Sequence, residues 1–144
     1  LPPLLLALLA AAAAAVSLAA AAAVFPKEAL PTRSGYLSVD PSANASLFYA
    51  FYEASAPLAA APADTPLLLW LQGGPGCSGL VGDLFELGPY LADAPDGSSL
   101  SRNPFAWNRR FGLLFLESPL GTGFSAAPTA AAIPRSLPAR AETI

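Results

Sequence analysis

Five of ten consecutive residues in Trp70-Leu71-Gln72-Gly73-Gly74-Pro75-Gly76-Cys77-Ser78-Gly79 are glycine or cysteine, and this is where the chain could do chemistry. Glycine lets the backbone take positive φ and come close to a ligand with no Cβ in the way. Successive N–H groups of such a turn can then point at one spot, which is what stabilising an oxyanion in acyl transfer requires. The same residues also make an ordinary tight turn, and their spacing alone does not separate the two roles. Two further sites are legible. Asn44-Ala45-Ser46 is an N-glycosylation sequon, which needs an exposed loop in a secreted protein, although such tripeptides also occur by chance. Cys77 is the single cysteine, so the chain holds no internal disulfide.

Other chemistry is excluded by what the sequence lacks. With 0 histidines, imidazole cannot serve as base or metal ligand within these residues. Neither Ser78 nor Ser125 stands in a G-x-S-x-G nucleophile elbow, because Leu80 and Ala127 occupy the closing position. A net charge of −3 makes nucleic acid an unexpected partner. No cofactor and no metal are expected.

Short apolar runs separated by turn residues supply the elements that must position the glycine-rich stretch. Pro66 to Leu71 is a continuous apolar run, too short for a helix, and reads as a strand buried on both faces as in a parallel sheet. Phe111 to Leu116 is a second such run, closed by Glu117-Ser118-Pro119. Between them Leu80, Leu84 and Leu87, with Val81 and Phe85 beside them, have the spacing of a short amphipathic helix stopped by Gly88-Pro89. Upstream, Gly35 to Val39 and Leu47 to Tyr52 flank the turn residues Asp40-Pro41-Ser42-Ala43-Asn44 and predict a hairpin. Residues 55–66 read as a surface loop. The expected class is therefore α/β, a βαβ-like unit with the hairpin on the antiparallel edge of the sheet.

The amino-terminal 23 residues carry no charge and run from leucine into alanine. They are expected to be a signal peptide, cut near Ala21-Ala22-Ala23, with a membrane anchor as the alternative. No stable membrane association is expected after cleavage, and the compartment expected is extracellular or vacuolar, reached through the secretory pathway. With 0 methionines in 144 residues, the translation start is expected to be missing. Residues 24–33 then read as a linker, 34–125 as the amino-terminal portion of the folded domain, and 126–144 as a poorly ordered end.

Five blocks in order resemble the serine carboxypeptidase family, particularly its plant serine carboxypeptidase-like members. They are Ser34-Gly35-Tyr36-Leu37; Leu69 to Ser78; Phe85-Glu86-Leu87-Gly88-Pro89; Asn103-Pro104 with Trp107-Asn108; and Leu114 to Pro119 running on to Gly121, Gly123, Phe124 and Ser125. The resemblance implies the amino-terminal part of an α/β-hydrolase fold, incomplete here. It implies that Gly74 N–H is half of an oxyanion hole, and that Gln72, Gly73 and Glu86 bind the terminal carboxylate of a peptide substrate with Trp70 supporting them. The family usually has asparagine at position 72, and many members have aspartate at 117. It also implies that Cys77 pairs with a cysteine far downstream, the alternative being a buried free thiol acting as a small hydrophobe.

The expected function is thus that of a leading fragment of a secreted serine-type carboxypeptidase, inactive alone because the nucleophile, acid and histidine are absent. A non-enzymatic secreted truncated protein is the alternative, and a serine carboxypeptidase-like acyltransferase is a second one for the full-length form.

Overall fold

The computed structural model describes residues 26–93 and 98–142. The apolar amino-terminal stretch, expected as signal or anchor, lies outside the described residues. After a 3-10 turn at Lys27–Ala29, β1 (Arg33–Asp40) and β2 (Ala45–Tyr52) form the antiparallel hairpin. Its strands extend beyond the apolar runs because ladder pairing is a backbone property: Arg33 pairs with Phe51 and Ser34 with Ala50. In the turn Asp40 Oδ1 accepts from the Ser42 hydroxyl at 2.7 Å, the Ser42 N–H at 3.0 Å and the Ala43 N–H at 3.3 Å. These bonds, led by that of the Ser42 hydroxyl, hold the Asp40 carboxyl below its ordinary range. Asn44 closes the turn at φ 55°, a left-handed conformation that asparagine tolerates.

β3 (Leu67–Leu71) and β6 (Gly112–Leu116) complete a four-stranded mixed sheet of order β1-β2-β6-β3. β6 lies antiparallel to β2 and parallel to β3, so the segment from β3 to β6 is a crossover, as the two apolar runs predict. The central position of β6 buries Leu113, Phe115 and Leu116 almost completely. Ala50, Tyr52, Leu87, Leu113 and Phe115 form one core cluster, with Leu68, Trp70 and Leu80 packed against it. A second cluster of Ala45, Leu47, Leu116 and Leu120 fills the other side.

The expectation of two buried faces fails for β3. It is an edge of the sheet, and Leu67, Leu69 and Leu71 are 57%, 47% and 45% exposed. Only Leu68 and Trp70 of this strand reach the core, since alternate side chains point to opposite faces. The expected helix is α1 (Gly79–Gly82), which widens into a π-helical turn at Asp83–Leu87. The widening breaks the simple helical spacing: Leu87 is buried, Leu80 and Leu84 are half-buried, and Phe85 is turned outward. Gly88 ends it as predicted, its N–H bonding to the Asp83 carbonyl.

A small antiparallel pair, β4 (Tyr90–Ala92) with β5 (Leu100–Arg102), was not legible beforehand, because three residues carry no readable period. Beyond β6 the chain returns to the hairpin through a bridge between Ser46 and Ala126. A 3-10 turn at Ala130–Ala132 and the short helix α2 (Leu137–Ala141) follow. No helix among the described residues is long and apolar enough to cross a membrane.

Candidate functional site

The glycine-rich stretch leaves the carboxyl end of β3, the end where loops of open α/β sheets gather ligands. Trp70 is the last inward-facing residue of that strand. Its indole Nε1–H donates to Gln72 Oε1 at 2.6 Å, and Gln72 Nε2–H donates to Glu86 Oε1 at 2.9 Å. The first bond fixes which way the Gln72 amide faces, so its nitrogen must point toward Glu86. Glu86 is exposed on the π-helical turn, and one of its oxygens has no partner among the described residues. Trp70 also packs edge-to-face on Trp107, with ring centroids 6.0 Å apart.

Glycine at 82 is required by this arrangement. A Cβ there would stand 2.3 Å from Trp70 Nε1, so α1 lies against the indole only because residue 82 has no side chain. The loop itself is open. Nothing lies within 4 Å of where a Cβ of Gly74 would be, and Gly73 and Gly74, joined by a cis peptide, are exposed. The Gly74 carbonyl accepts from the Cys77 N–H at 3.1 Å, closing the turn, and Gly76 takes φ +97°. The Gly74 N–H has no hydrogen-bond partner among the described residues. Cys77 is half-buried with a free thiol, and Asn44 is exposed on a different element, the hairpin turn.

Three buried polar groups around this site were given no role in the sequence reading, although Asn103 and Glu117 stand within the resembling blocks. Asn103 donates from Nδ2 to the Gly88 carbonyl at 2.9 Å and accepts from the Phe105 N–H at 2.9 Å, which braces the turn after Glu86. Asp83 is almost fully buried and accepts from the Tyr52 hydroxyl at 2.7 Å, tying the Glu86-bearing turn to β2. Its other oxygen has no hydrogen-bond partner among the described residues. Burial, partly offset by the Tyr52 hydrogen bond, pushes the Asp83 carboxyl up to about 6. The same burial, with the Asp83 charge, pushes the Tyr52 phenol up. Glu117, at the end of β6, is 1% exposed and accepts from the Ser78 hydroxyl at 2.6 Å. The one sequence signal for Asp83 was a charged residue inside an apolar helical face.

A profile described as serine carboxypeptidase matches residues 24–143. The chain belongs to the serine carboxypeptidase family. Serine carboxypeptidase-like 50 of Arabidopsis thaliana is 57% identical over 111 residues, which are 77% of this chain and 24% of that protein. Serine carboxypeptidase S10 family member 1 of Dictyostelium discoideum is 48% identical over 92 residues, 64% of this chain and 21% of that protein. Among solved structures, Kex1(Δ)p, a prohormone-processing carboxypeptidase from Saccharomyces cerevisiae, superposes with TM-score 0.56 at 29% identity. That match covers 70% of this chain and 22% of the other. The chain therefore spans about a quarter of the length of the serine carboxypeptidase relatives it matches.

Proposed function

We propose that this chain supplies the substrate-carboxylate site and half of the oxyanion hole of a serine-type carboxypeptidase, whose nucleophile, acid and histidine lie outside these 144 residues. The supporting observation is the hydrogen-bonded series Trp70–Gln72–Glu86 beside an open glycine turn. An exopeptidase must recognise a free carboxylate, and only donors can do so. Gln72 gives one amide hydrogen to Glu86 and keeps its second for a ligand. Glu86 in its protonated form donates from the oxygen that faces solvent, and Gly73 adds a backbone N–H.

In this reading the Gly74 N–H meets the oxyanion of the tetrahedral intermediate as the acyl-enzyme forms and breaks down. Cys77 pairs with a cysteine outside the chain. The uncharged amino-terminal stretch and Asn44, a glycan acceptor on an exposed turn, fit a secreted or vacuolar protein. An amide side chain at 72 favours peptide hydrolysis over acyl transfer from glucose esters.

The test uses the longer protein carrying this chain and a blocked dipeptide at acidic pH. Release of the carboxy-terminal residue is expected, with Gln72→Leu and Glu86→Leu each raising KM about tenfold or more for loss of a hydrogen bond to a charged group. Absence of release, or an unchanged KM in both variants, overturns the proposal.

A further inference from the structure

Glu117 is absorbed by none of the roles above, yet it is among the most enclosed side chains of the described residues. Its carboxyl is sandwiched between two glycine-bearing segments. On one side Oε1 accepts the Ser78 hydroxyl at 2.6 Å. On the other lies Gly123, at φ +51°, where a Cβ would stand 2.1 Å from Oε2. Oε2 itself has no hydrogen-bond partner among the described residues. The backbone of the same residue is also held: its N–H donates to the Phe48 carbonyl at 3.0 Å, and its carbonyl accepts from the Ser125 hydroxyl at 2.6 Å.

A carboxyl buried so fully with one oxygen unsatisfied is costly, and an apolar side chain of similar volume would fill the space at less cost. What only an acceptor can do here is hold the Ser78 hydroxyl. Ser78 is the N-cap of α1, its Oγ accepting from the Leu80 N–H at 3.2 Å. It directly follows Cys77, whose N–H closes the turn on the Gly74 carbonyl. The next residue, Gly79, presses onto the end of β6, where a Cβ would stand 2.8 Å from the Leu116 carbonyl oxygen. The carboxyl end of the glycine turn is thus seated on the end of β6 by one close backbone approach and one buried hydrogen bond.

The geometry assigns Glu117 as a positioning residue that sets the glycine turn through Ser78. Glu117 is buried beneath the turn and orients the N-cap from which the turn Gly73–Gly76 is hung. Its link to catalysis rests on the proposed oxyanion role of Gly74, whereas the clamp itself does not.

Amide hydrogen exchange on the longer protein carrying this chain tests the clamp without any hydrolysis. Ser78→Ala removes only a hydroxyl, and Glu117→Leu removes the acceptor; both are expected to speed exchange at Cys77 and Leu80 about tenfold or more. Glu117→Gln keeps an oxygen acceptor for Ser78 and is expected to restore protection to within about threefold of the unaltered chain. The Ser78→Ala/Glu117→Leu double variant is expected to be no faster than the quicker single one, since the bond that Glu117→Leu removes is already lost in Ser78→Ala. Unchanged exchange in Ser78→Ala overturns the clamp even where Glu117→Leu fails to fold. Equal loss in Glu117→Gln and Glu117→Leu overturns it too.

In the longer protein, Ser78→Ala is expected to lower kcat about 10- to 100-fold with KM within about threefold, as displacement of an oxyanion donor does. Loss of protection with kcat unchanged keeps the clamp and overturns the oxyanion reading of Gly74.

Discussion

At the scale of single residues the site is a series of hydrogen bonds in fixed order, and its geometry depends on one missing side chain. Gly82→Ala places a Cβ against the Trp70 indole, so the ring must move and release Gln72. The expected result is a changed near-ultraviolet tryptophan spectrum and, in the longer protein, a raised KM with kcat less affected. The Asp83–Tyr52 pair makes a second residue-scale prediction. The folded value for Asp83 of about 6 lies above its ordinary 3.8, so the folded state binds the proton more tightly than the unfolded state does. Its contribution is therefore fully present below about pH 4 and lost as pH rises through about 6, on the order of 3 kcal/mol. Urea melts from pH 4 to 7 are expected to show that fall, and Asp83→Asn to remove most of it. Tyr52→Phe leaves the carboxyl without its hydroxyl donor and is expected to cost about 1–3 kcal/mol near neutral pH.

At the scale of elements, the two apolar runs that look alike in sequence have different fates. Among the described residues, β6 is flanked on both sides by strands, whereas β3 has a neighbour on one side only. Leu113→Ala, at 0% exposure, is expected to cost about 2–5 kcal/mol by transfer and cavity terms. Leu69→Ser on the open face of β3 is expected to cost under about 1 kcal/mol in the 144-residue chain, measured by the same denaturant midpoint. The strand runs, the hairpin turn and the helix stop at Gly88 were legible because each follows from local chemistry. The edge position of β3, the π-helical turn and the β4–β5 pair were not, since each is set by neighbours distant in sequence or spans too few residues to show a period.

At the scale of the whole molecule, the described sheet presents the hydrogen-bonded series Trp70–Gln72–Glu86, the proposed carboxylate site, and a glycine turn at one end of β3. A chain with 0 histidines holds no histidine base to activate a serine. The 144-residue chain alone is accordingly expected to release nothing from a blocked dipeptide at acidic pH, under conditions where the longer protein does. Turnover by the short chain, followed by amino-acid release, would show that catalysis needs no group beyond these residues.

The sequence by itself determined the family blocks, the glycine turn and the residue types of the proposed carboxylate site, because those are properties of local chemistry and order along the chain. It also carried the hairpin and the parallel crossover, through apolar runs bounded by turn residues. Tertiary structure alone decided that Trp70 Nε1 orients Gln72 and that Gly82 must lack a side chain beneath the indole. It alone brought Ser78 to Glu117, 39 residues apart, and Tyr52 to Asp83, 31 apart. Hydrogen bonds between distant residues leave no period and no composition in a sequence; they exist only once packing has brought donor and acceptor within 3 Å or so of each other.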